Sequence, residues 1–262
     1  MKCFFDHIAG NSSNRELVYS PATAVFDEQE YEFAIQNGWH IAESWGVDDF
    51  DWFNSIRESG SQVWYQARST RLEVAKFSER SRHRKKIKKA KISCSVKDDV
   101  SSISHELWDV YTSYLSYKGF SNFYEKPDDL FTELYGSRKY LVYSDKDKKV
   151  VAFSVVEIVS QEVAVAPQFA WDYSNPSLGL GSLNKLFQFR LLKDLEVSHL
   201  YLGNSYELSS LGKMRWPGFQ WWTGRTWSDD KDLFAFLLER ESNMETLDDL
   251  YATQNAYYSK TT

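Results

Sequence analysis

The chain has 262 residues, of which 42% are hydrophobic and 16% aromatic, so it can bury a sizeable core in one large domain or two small ones. This composition excludes intrinsic disorder, and no apolar run approaches the roughly 18 residues of a membrane-spanning helix. The formal net charge of -6 argues against a generally basic nucleic-acid-binding protein, but the charge is unevenly distributed.

Cysteine and histidine are too sparse to suggest a metal centre. Cys3 and Cys94 cannot build a disulfide framework or a four-thiolate site. His40, His83 and His199 lack metal-ligand spacing, so we expect no metal. The N-terminus has no signal-peptide pattern, and we expect a reducing, cytoplasmic location.

The first third of the chain predicts strands and few helices. A strand broken by Pro21 is expected within residues 17–26, followed by a helix over residues 27–37 that stops at Asn37-Gly38. Residues 62–77 alternate in hydrophobicity, which is typical of strands.

Residues 80–91 form a run that we call the basic strip. It holds eight of the 31 basic residues and no acid, so the rest of the chain carries 23 basic against 37 acidic residues, a formal charge of -14. Such a run is either a solvated helix face or flexible arm, or a phosphate-binding surface. Its cations are Arg80, Arg82, Arg84, Lys85, Lys86, Lys88, Lys89 and Lys91.

The central part of the chain predicts helices and an antiparallel sheet. Ser104 is a plausible N-cap for a helix within residues 101–120. Asp145-Lys146-Asp147-Lys148 predicts the turn of a hairpin. The remaining elements are expected at residues 127–135 (helix), 139–144 and 149–160 (hairpin strands), 161–171 (strand), and 229–240 and 244–258 (helices).

Residues 173–227 carry the most specific pattern. Gly179 and Gly181 precede an apolar-faced helix and leave room for backbone N–H groups to face a ligand. A buried strand follows, and Gly203 in that strand would let a substrate approach the main chain. A glycine turn, a helix and a strand resemble the donor-binding part of GNAT acyltransferases. We therefore expect an α+β, GNAT-like fold, a mostly antiparallel sheet flanked by helices, with a smaller N-terminal lobe.

The same segment resembles the arginyl-tRNA–protein transferases, including their bacterial leucyl-transferring branch. Leu180-Gly181-Ser182 stands where that family has Leu-Gly-Thr, and Tyr201-Leu202-Gly203 matches the start of Tyr-Leu-Gly-Tyr. Lys213-Met214-Arg215-Trp216 resembles the Lys-Met element, and Phe219 and Trp227 fit the end.

Earlier motifs follow the same family in order. They are Tyr19-Ser20-Pro21, Gly38-Trp39-His40, Arg71-Leu72-Glu73-Val74-Ala75-Lys76-Phe77 and the basic tail from Arg80. The chain departs from the family at Tyr173-Ser174-Asn175-Pro176, at Asn204, and in lacking the cysteine cluster. No cluster-bound metal or haem role is therefore carried over.

The resemblance implies transfer of an amino acid from charged tRNA to an α-amino group of a protein, peptide or small amine, without a cofactor or membrane partner. It implies a division into residues 1–95, the N-terminal lobe with the basic strip, and 96–262, the catalytic domain. Tyr201 and Asn204 are the candidate catalytic residues. The candidate substrate-binding residues are Gly179, Leu180, Gly181, Ser182, Gly203, Lys213 and Trp216, and tRNA would bind Arg80, Arg82, Arg84, Lys85, Lys86, Lys88 and Lys89.

Two other functions stay open. An acyl-CoA N-acyltransferase fits Gly179-x-Gly181, although Pro176 replaces the Arg or Gln expected to hold phosphate. A non-catalytic RNA- or protein-binding relative fits the lost cysteines and Asn204. Tyr201 and Leu202 are equally well core strand residues, and neither Asp172 nor Glu157 is preferred as a base.

Overall fold

The chain divides by its contacts into two compact units. One comprises Met1–Glu73 and Tyr201–Thr262, and the other comprises Val74–Leu200. The predicted division at residue 95 stays a prediction. The computed structural model describes residues 23–41, 62–119, 130–131, 135–174, 176–205, 208–241, 249, 252–253, 255–256 and 259.

The first unit contains two groups of strands. Strands β1, β3 and β2 form a three-stranded antiparallel sheet, and four other strands lie in the order β11-β10-β4-β9. The chain enters this unit a second time within β9. Its elements are β1 (Thr23–Phe26), α1 (Tyr31–Gln36), β2 (Trp39–Ile41), β3 (Gln62–Gln66), β4 (Ser69–Glu73), the end of β9 (His199–Asn204), a 3₁₀ segment (Leu208–Arg215), β10 (Phe219–Trp222), β11 (Trp227–Ser228) and α5 (Lys231–Glu241).

The second unit is built on four strands in the order β8-β7-β6-β5, in which β5 pairs with β6, β6 with β7 and β7 with β8, each antiparallel. Its elements are α2 (Ser81–Ala90), β5 (Ser93–Lys97), α3 (Ser104–Lys118), β6 (Ser137–Ser144), β7 (Val150–Ile158), β8 (Val163–Trp171) and α4 (Leu180–Asp194).

The predicted hairpin at residues 145–148 is confirmed. Asp145 Oδ1 accepts the N–H groups of Asp147 and Lys149 at 2.9 and 3.0 Å, and Lys148 takes the left-handed conformation with φ 65°. The side chain of Asp145 thus closes the turn that joins β6 to β7.

Helices α3 and α4 cover opposite faces of this sheet, because alternate residues of a strand face opposite sides. Phe153 and Val155 of β7 pack in one cluster with Leu107 and Tyr111 of α3. Ser154, which lies between them, accepts a hydrogen bond from Gln188 of α4 at 2.8 Å. The predicted α+β fold, a mostly antiparallel sheet flanked by helices, is confirmed.

The start of α3 differs from the prediction. Ser104 is the first helical residue and Ile103 occupies the N-cap position. The physical reason is that Asp99 acts earlier, accepting the backbone N–H of Ser101 at 2.8 Å, so a 3₁₀ turn over Ser101–Ile103 precedes the helix. The predicted helices at 127–135 and 244–258 fall largely outside the described residues, as does the strand before Thr23.

Candidate functional site

The basic strip is an exposed helix. Residues 81–90 form α2, none of whose side chains is buried, and all eight cations of the strip are exposed. None of the eight makes a salt bridge with another residue in the part of the chain that the structure describes. The strip therefore presents its positive charge to solvent.

The start of α2 is fixed to α4 by an ion pair and by ring stacking. Arg190 of α4 donates two hydrogen bonds to the carboxylate of Glu79, at 2.9 and 2.8 Å. Phe77 stacks on Phe189 with ring centroids 4.2 Å apart, and His83 stacks on the same Phe77 ring at 5.6 Å. A strip held in this way has a defined position along α4.

Glu79→Gln is expected to lower the free energy of unfolding by about 1 kcal/mol at neutral pH, since a half-exposed ion pair contributes little more. The hydrogen bond from Arg190 lowers the pKa of the Glu79 carboxyl below its ordinary value. A lowered pKa gives stability that is present above the unfolded-state pKa and lost as pH falls through the folded one. Urea unfolding of both proteins should therefore differ at pH 7 and converge below the folded-state pKa. An undiminished difference in strong acid would contradict the ion pair.

The start of α4 leaves two backbone N–H groups without an acceptor in the helix, and only that of Gly181 belongs to an exposed residue. Gly179, the N-cap, has φ 62° and ψ 40°, a left-handed conformation that disfavours other residues. Its carbonyl accepts the N–H groups of Ser182 and Leu183 at 3.0 and 3.2 Å. The N–H groups of Leu180 and Gly181 precede the first turn's internal bonds, so the helix itself offers them no acceptor. The Leu180 side chain is buried, whereas Gly181 is exposed.

Lys86 of the basic strip lies beside this helix start. A Cβ atom built on Gly179 would stand 3.4 Å from both Cε and Nζ of Lys86. The Lys86 ammonium group therefore lies next to the positive end of the α4 helix dipole. Both favour an anion, and phosphate is the anion that such helix starts commonly bind.

A groove of about 310 Å³ continues from the C-terminal end of α2. It lies between the α2–β5 connection, the β6–β7 turn and the loop that leads to α4. Three cations line it, Lys91, Lys146 and Lys149, against two acids, Asp145 and Asp172. Its lining therefore carries one more cation than acid.

Tyr201 is a buried residue of the first unit, only 3% exposed. Its hydroxyl accepts a hydrogen bond from Arg71 Nη1 at 3.0 Å, and its ring meets Trp227 edge-on at 5.5 Å. The Arg71 guanidinium also lies 4.2 Å from the Trp227 ring centroid and donates to Gln220 at 2.7 Å. Arg71 therefore fixes the position of the tyrosine hydroxyl.

Asn204 and Gly203 lie at the end of β9. The Asn204 amide donates to the hydroxyl of Tyr65 at 3.2 Å, and the Gly203 carbonyl accepts from Thr70 Oγ1 at 3.2 Å. Gly203 has φ 75°, and no atom of the described residues lies within 4 Å of where its Cβ would stand. Space for a close approach therefore exists on that side of the backbone.

Lys213 braces this strand end. Its ammonium group donates to the carbonyls of Leu202 and Asn204 and to Ser205 Oγ, at 3.1, 2.9 and 2.8 Å. These bonds match the three donors of an ammonium group. The arrangement suits Lys213 for holding the backbone around Gly203.

The other predicted residues lie at partly exposed positions. Ser182 in the first turn of α4 and Trp216 after the 3₁₀ segment are both half-buried. Trp221 is fully buried, and its indole N–H donates to the Asp230 carbonyl at 2.8 Å. Trp216 thus keeps accessible surface, whereas Trp221 and Trp222 belong to the core.

Glu157 is a structural carboxylate. It has no exposed surface, pairs with Arg138 and accepts the backbone N–H of Tyr135 at 2.7 Å. Asp172 is half-buried, and the backbone N–H of Ser174 lowers its pKa, which makes it a weak base. Burial raises the pKa of the Cys94 thiol to about 12, so it is not a thiolate at neutral pH.

No group of three or more His, Cys, Asp or Glu residues within the described part of the chain is arranged to hold a metal ion. No described helix is long and apolar enough to cross a membrane.

Sequence reasoning missed the partners of the predicted residues. Arg71, Tyr65 and Thr70 come from β3 and β4, more than 120 residues before the strand that they contact. Only the motif that begins at Arg71 gave any signal. Long-range pairing of this kind leaves no mark in local periodicity.

No family model and no curated protein matches the chain. Among solved structures, L-PGS from Bacillus licheniformis aligns at 14% identity and TM-score 0.43, covering 53% of this chain and 46% of that one. The C-terminal domain of a protein from Agrobacterium fabrum assigned as a lysylphosphatidylglycerol synthetase aligns at 15% identity and TM-score 0.45, covering 56% and 49%. A GNAT-family acetyltransferase from Staphylococcus aureus aligns at 13% identity and TM-score 0.38, covering 46% and 80%. The chain spans about half the length of the first two.

Proposed function

We propose that this chain is a GNAT-like aminoacyltransferase that takes an amino acid from charged tRNA and transfers it to an α-amino group of a protein, peptide or small amine. The observation that carries the proposal is the position of Lys86, which brings the basic strip against the open helix start at Gly179. An RNA backbone bound along α2 would thereby bring its end to the backbone N–H of Gly181, which is exposed.

The charge pattern supports RNA as the ligand of the strip. Eight exposed cations without acidic partners in the described chain stand on a protein that is otherwise strongly acidic. Such a surface binds a polyanion at one place and repels it elsewhere. The backbone N–H groups at the start of α4 suit a terminal phosphate.

The chemistry needs little covalent help. In the proposed reaction the acceptor amine attacks the ester carbonyl, the C–N bond forms, the bond to the ribose oxygen breaks, and that oxygen takes the proton that the amine loses. Aligning amine and carbonyl supplies most of the acceleration. Tyr201, positioned by Arg71, would polarise the carbonyl, and Asn204 would hydrogen-bond the acceptor.

A second candidate is acyl-CoA-dependent N-acylation. It was disfavoured by Pro176, which lacks the expected phosphate-holding side chain. Lys86 at Gly179 offers a cation at the same turn from another element. The pyrophosphate of coenzyme A is an anion that this arrangement could accept.

One mass-spectrometric assay separates the candidates. Purified protein is incubated with an acceptor peptide and either charged tRNA or acetyl-CoA. The proposal expects the peptide to gain the mass of one amino acid from charged tRNA only. An acetyl increment would select the second candidate, and no product with any charged tRNA would contradict aminoacyl transfer.

Lys86→Met is expected to raise the KM for charged tRNA about tenfold and leave kcat nearly unchanged, since the ammonium contributes binding and takes no part in the reaction. Lys88→Met is the matched control, because two residues along a helix turn the side chain by about 200° away from α4. Steady-state kinetics measure both. Equal effects of the two variants would show that proximity to Gly179 has no special role.

A further inference from the structure

Three aromatic rings lie in contact one after another in the second unit. The rings of Trp171 and Tyr173 have centroids 3.8 Å apart and are tilted by 32°, whereas those of Tyr173 and Tyr117 lie nearly parallel, also at 3.8 Å and with an interplanar angle of 13°. Tyr114 flanks the stack, with its centroid 5.9 Å from that of Tyr173. We call Trp171, Tyr173 and Tyr117 the aromatic stack.

Two elements build the stack. Trp171 ends β8, and Tyr173 follows two residues later in the turn after that strand. Tyr117 belongs to the last turn of α3, one residue before Lys118, whose ammonium group lies 5.8 Å from the Tyr173 ring centroid. A cation therefore accompanies the rings.

The stack does not belong to the core. The buried residues of α3 are Leu107, Val110, Tyr111 and Leu115, which pack on the sheet. Tyr117, at the outer end of the stack, is 65% exposed, more than any other large hydrophobic side chain described. A flat ring with so much exposed surface, backed by two further rings, is preformed for another ring.

The aromatic stack also adjoins the groove of about 310 Å³ at the C-terminal end of α2. Ser174, the residue after Tyr173, lines that groove together with Lys91, which follows α2, and Lys149. Asp172, the acid closest to the stack in the chain, lies 3.7 Å from the Lys149 ammonium, which offsets its repulsion of phosphate. An RNA backbone that runs along the basic strip would therefore reach the aromatic stack.

We propose that the aromatic stack binds a nucleobase of single-stranded RNA, with the base lying on Tyr117. Every base has a π-face, so such a platform accepts an unpaired base of any identity, while the neighbouring cations hold the phosphates. The inference rests on the proposed function, because the RNA is the tRNA of that function. The aromatic stack would bind an unpaired base near the end of this tRNA.

Fluorescence anisotropy with two probes tests the inference. One probe is a short labelled oligoadenylate, and the other is an abasic oligomer of the same length and charge. Tyr117→Leu should weaken oligoadenylate binding about 5- to 100-fold and leave abasic binding unchanged, whereas Tyr117→Trp should retain full affinity. Tyr117 is exposed, so these variants should fold, and thermal unfolding checks that they do.

The outcomes separate this inference from the proposed function. If the unaltered protein binds both oligomers equally, with steep salt dependence, the stack binds no base and the RNA-binding strip stands. Equal weakening of both probes by Tyr117→Leu would likewise overturn the inference. If neither oligomer binds and charged tRNA does not bind either, the proposed function fails and this inference with it.

Discussion

Reversing the charge of Arg82, Arg84 and Lys85 together is expected to weaken tRNA binding on the order of 100-fold at moderate salt. All three side chains are exposed on α2, and none makes a salt bridge with another described residue. Each phosphate contact that is lost also removes about one unit from the slope of log K against log salt concentration, so the slope should fall by about three.

The matched control changes the net charge of the protein by the same amount, but at residues outside α2. Arg225, Arg240 and Lys231 are exposed, lie outside α2 and the groove beside it, and can be replaced together by glutamate. Filter binding or anisotropy over a salt series measures both triple variants. The control should lose little affinity and keep its slope. If the α2 variant keeps both its affinity and its slope, the basic strip is not the docking surface.

Arg138→Met is expected to lower the free energy of unfolding by about 3 to 5 kcal/mol. Arg138 and Glu157 form a buried ion pair, with side chains 5% and 0% exposed. Arg138 also donates to the Leu130 carbonyl at 2.9 Å. Removing the guanidinium leaves the Glu157 carboxylate in the interior without its counter-charge. The free-energy penalty of this unpaired charge is larger than the net stabilisation that the ion pair provides.

The neighbouring residue supplies the control for this substitution. Lys139 on the same strand pairs with Asp98, whose side chain is 78% exposed, so Lys139→Met should cost about 0 to 1 kcal/mol. Adding Glu157→Leu to Arg138→Met should recover part of the loss, because it removes the stranded charge. Urea unfolding measures all three variants. A loss below about 1 kcal/mol for Arg138→Met would contradict the pair's structural role.

The central sheet was predictable because its signals are local. Asp145 to Lys148 predicts a turn between two largely apolar segments, and β6 and β7 form there. The helix at α4 follows from its apolar spacing and the glycines before it. Only its first turn was placed late, since Gly179 caps the helix at Leu180.

The role of Glu157 could not be predicted, because its burial depends on an arginine in another strand. Read from the sequence alone, an acid in an apolar strand is a candidate base. Antiparallel pairing sets Arg138 directly opposite Glu157 and turns it into half of an ion pair. Register between strands is set by packing over the whole sheet, which no short window of sequence contains.

The proximity of Lys86 to Gly179 was equally inaccessible. A basic run gives no sign of which of its cations faces another element. Phe77, Glu79 and their partners on α4 fix that orientation, and those partners lie 111 or more residues later. The predicted roles of the strip and the glycine turn were separate hypotheses until the structure placed Lys86 at the helix start.

Photo-crosslinking from the 3′ end of tRNA tests directly whether that end binds at the start of α4, beside Lys86. A tRNA that carries a photoreactive group on its terminal nucleotide is irradiated with the protein, and the attached peptide is identified by mass spectrometry. We expect crosslinks within residues 173–182, at the start of α4, and we expect them to be lost when Lys86 is replaced by methionine. Crosslinks confined to other parts of the chain, or unchanged in the Lys86→Met variant, would contradict it.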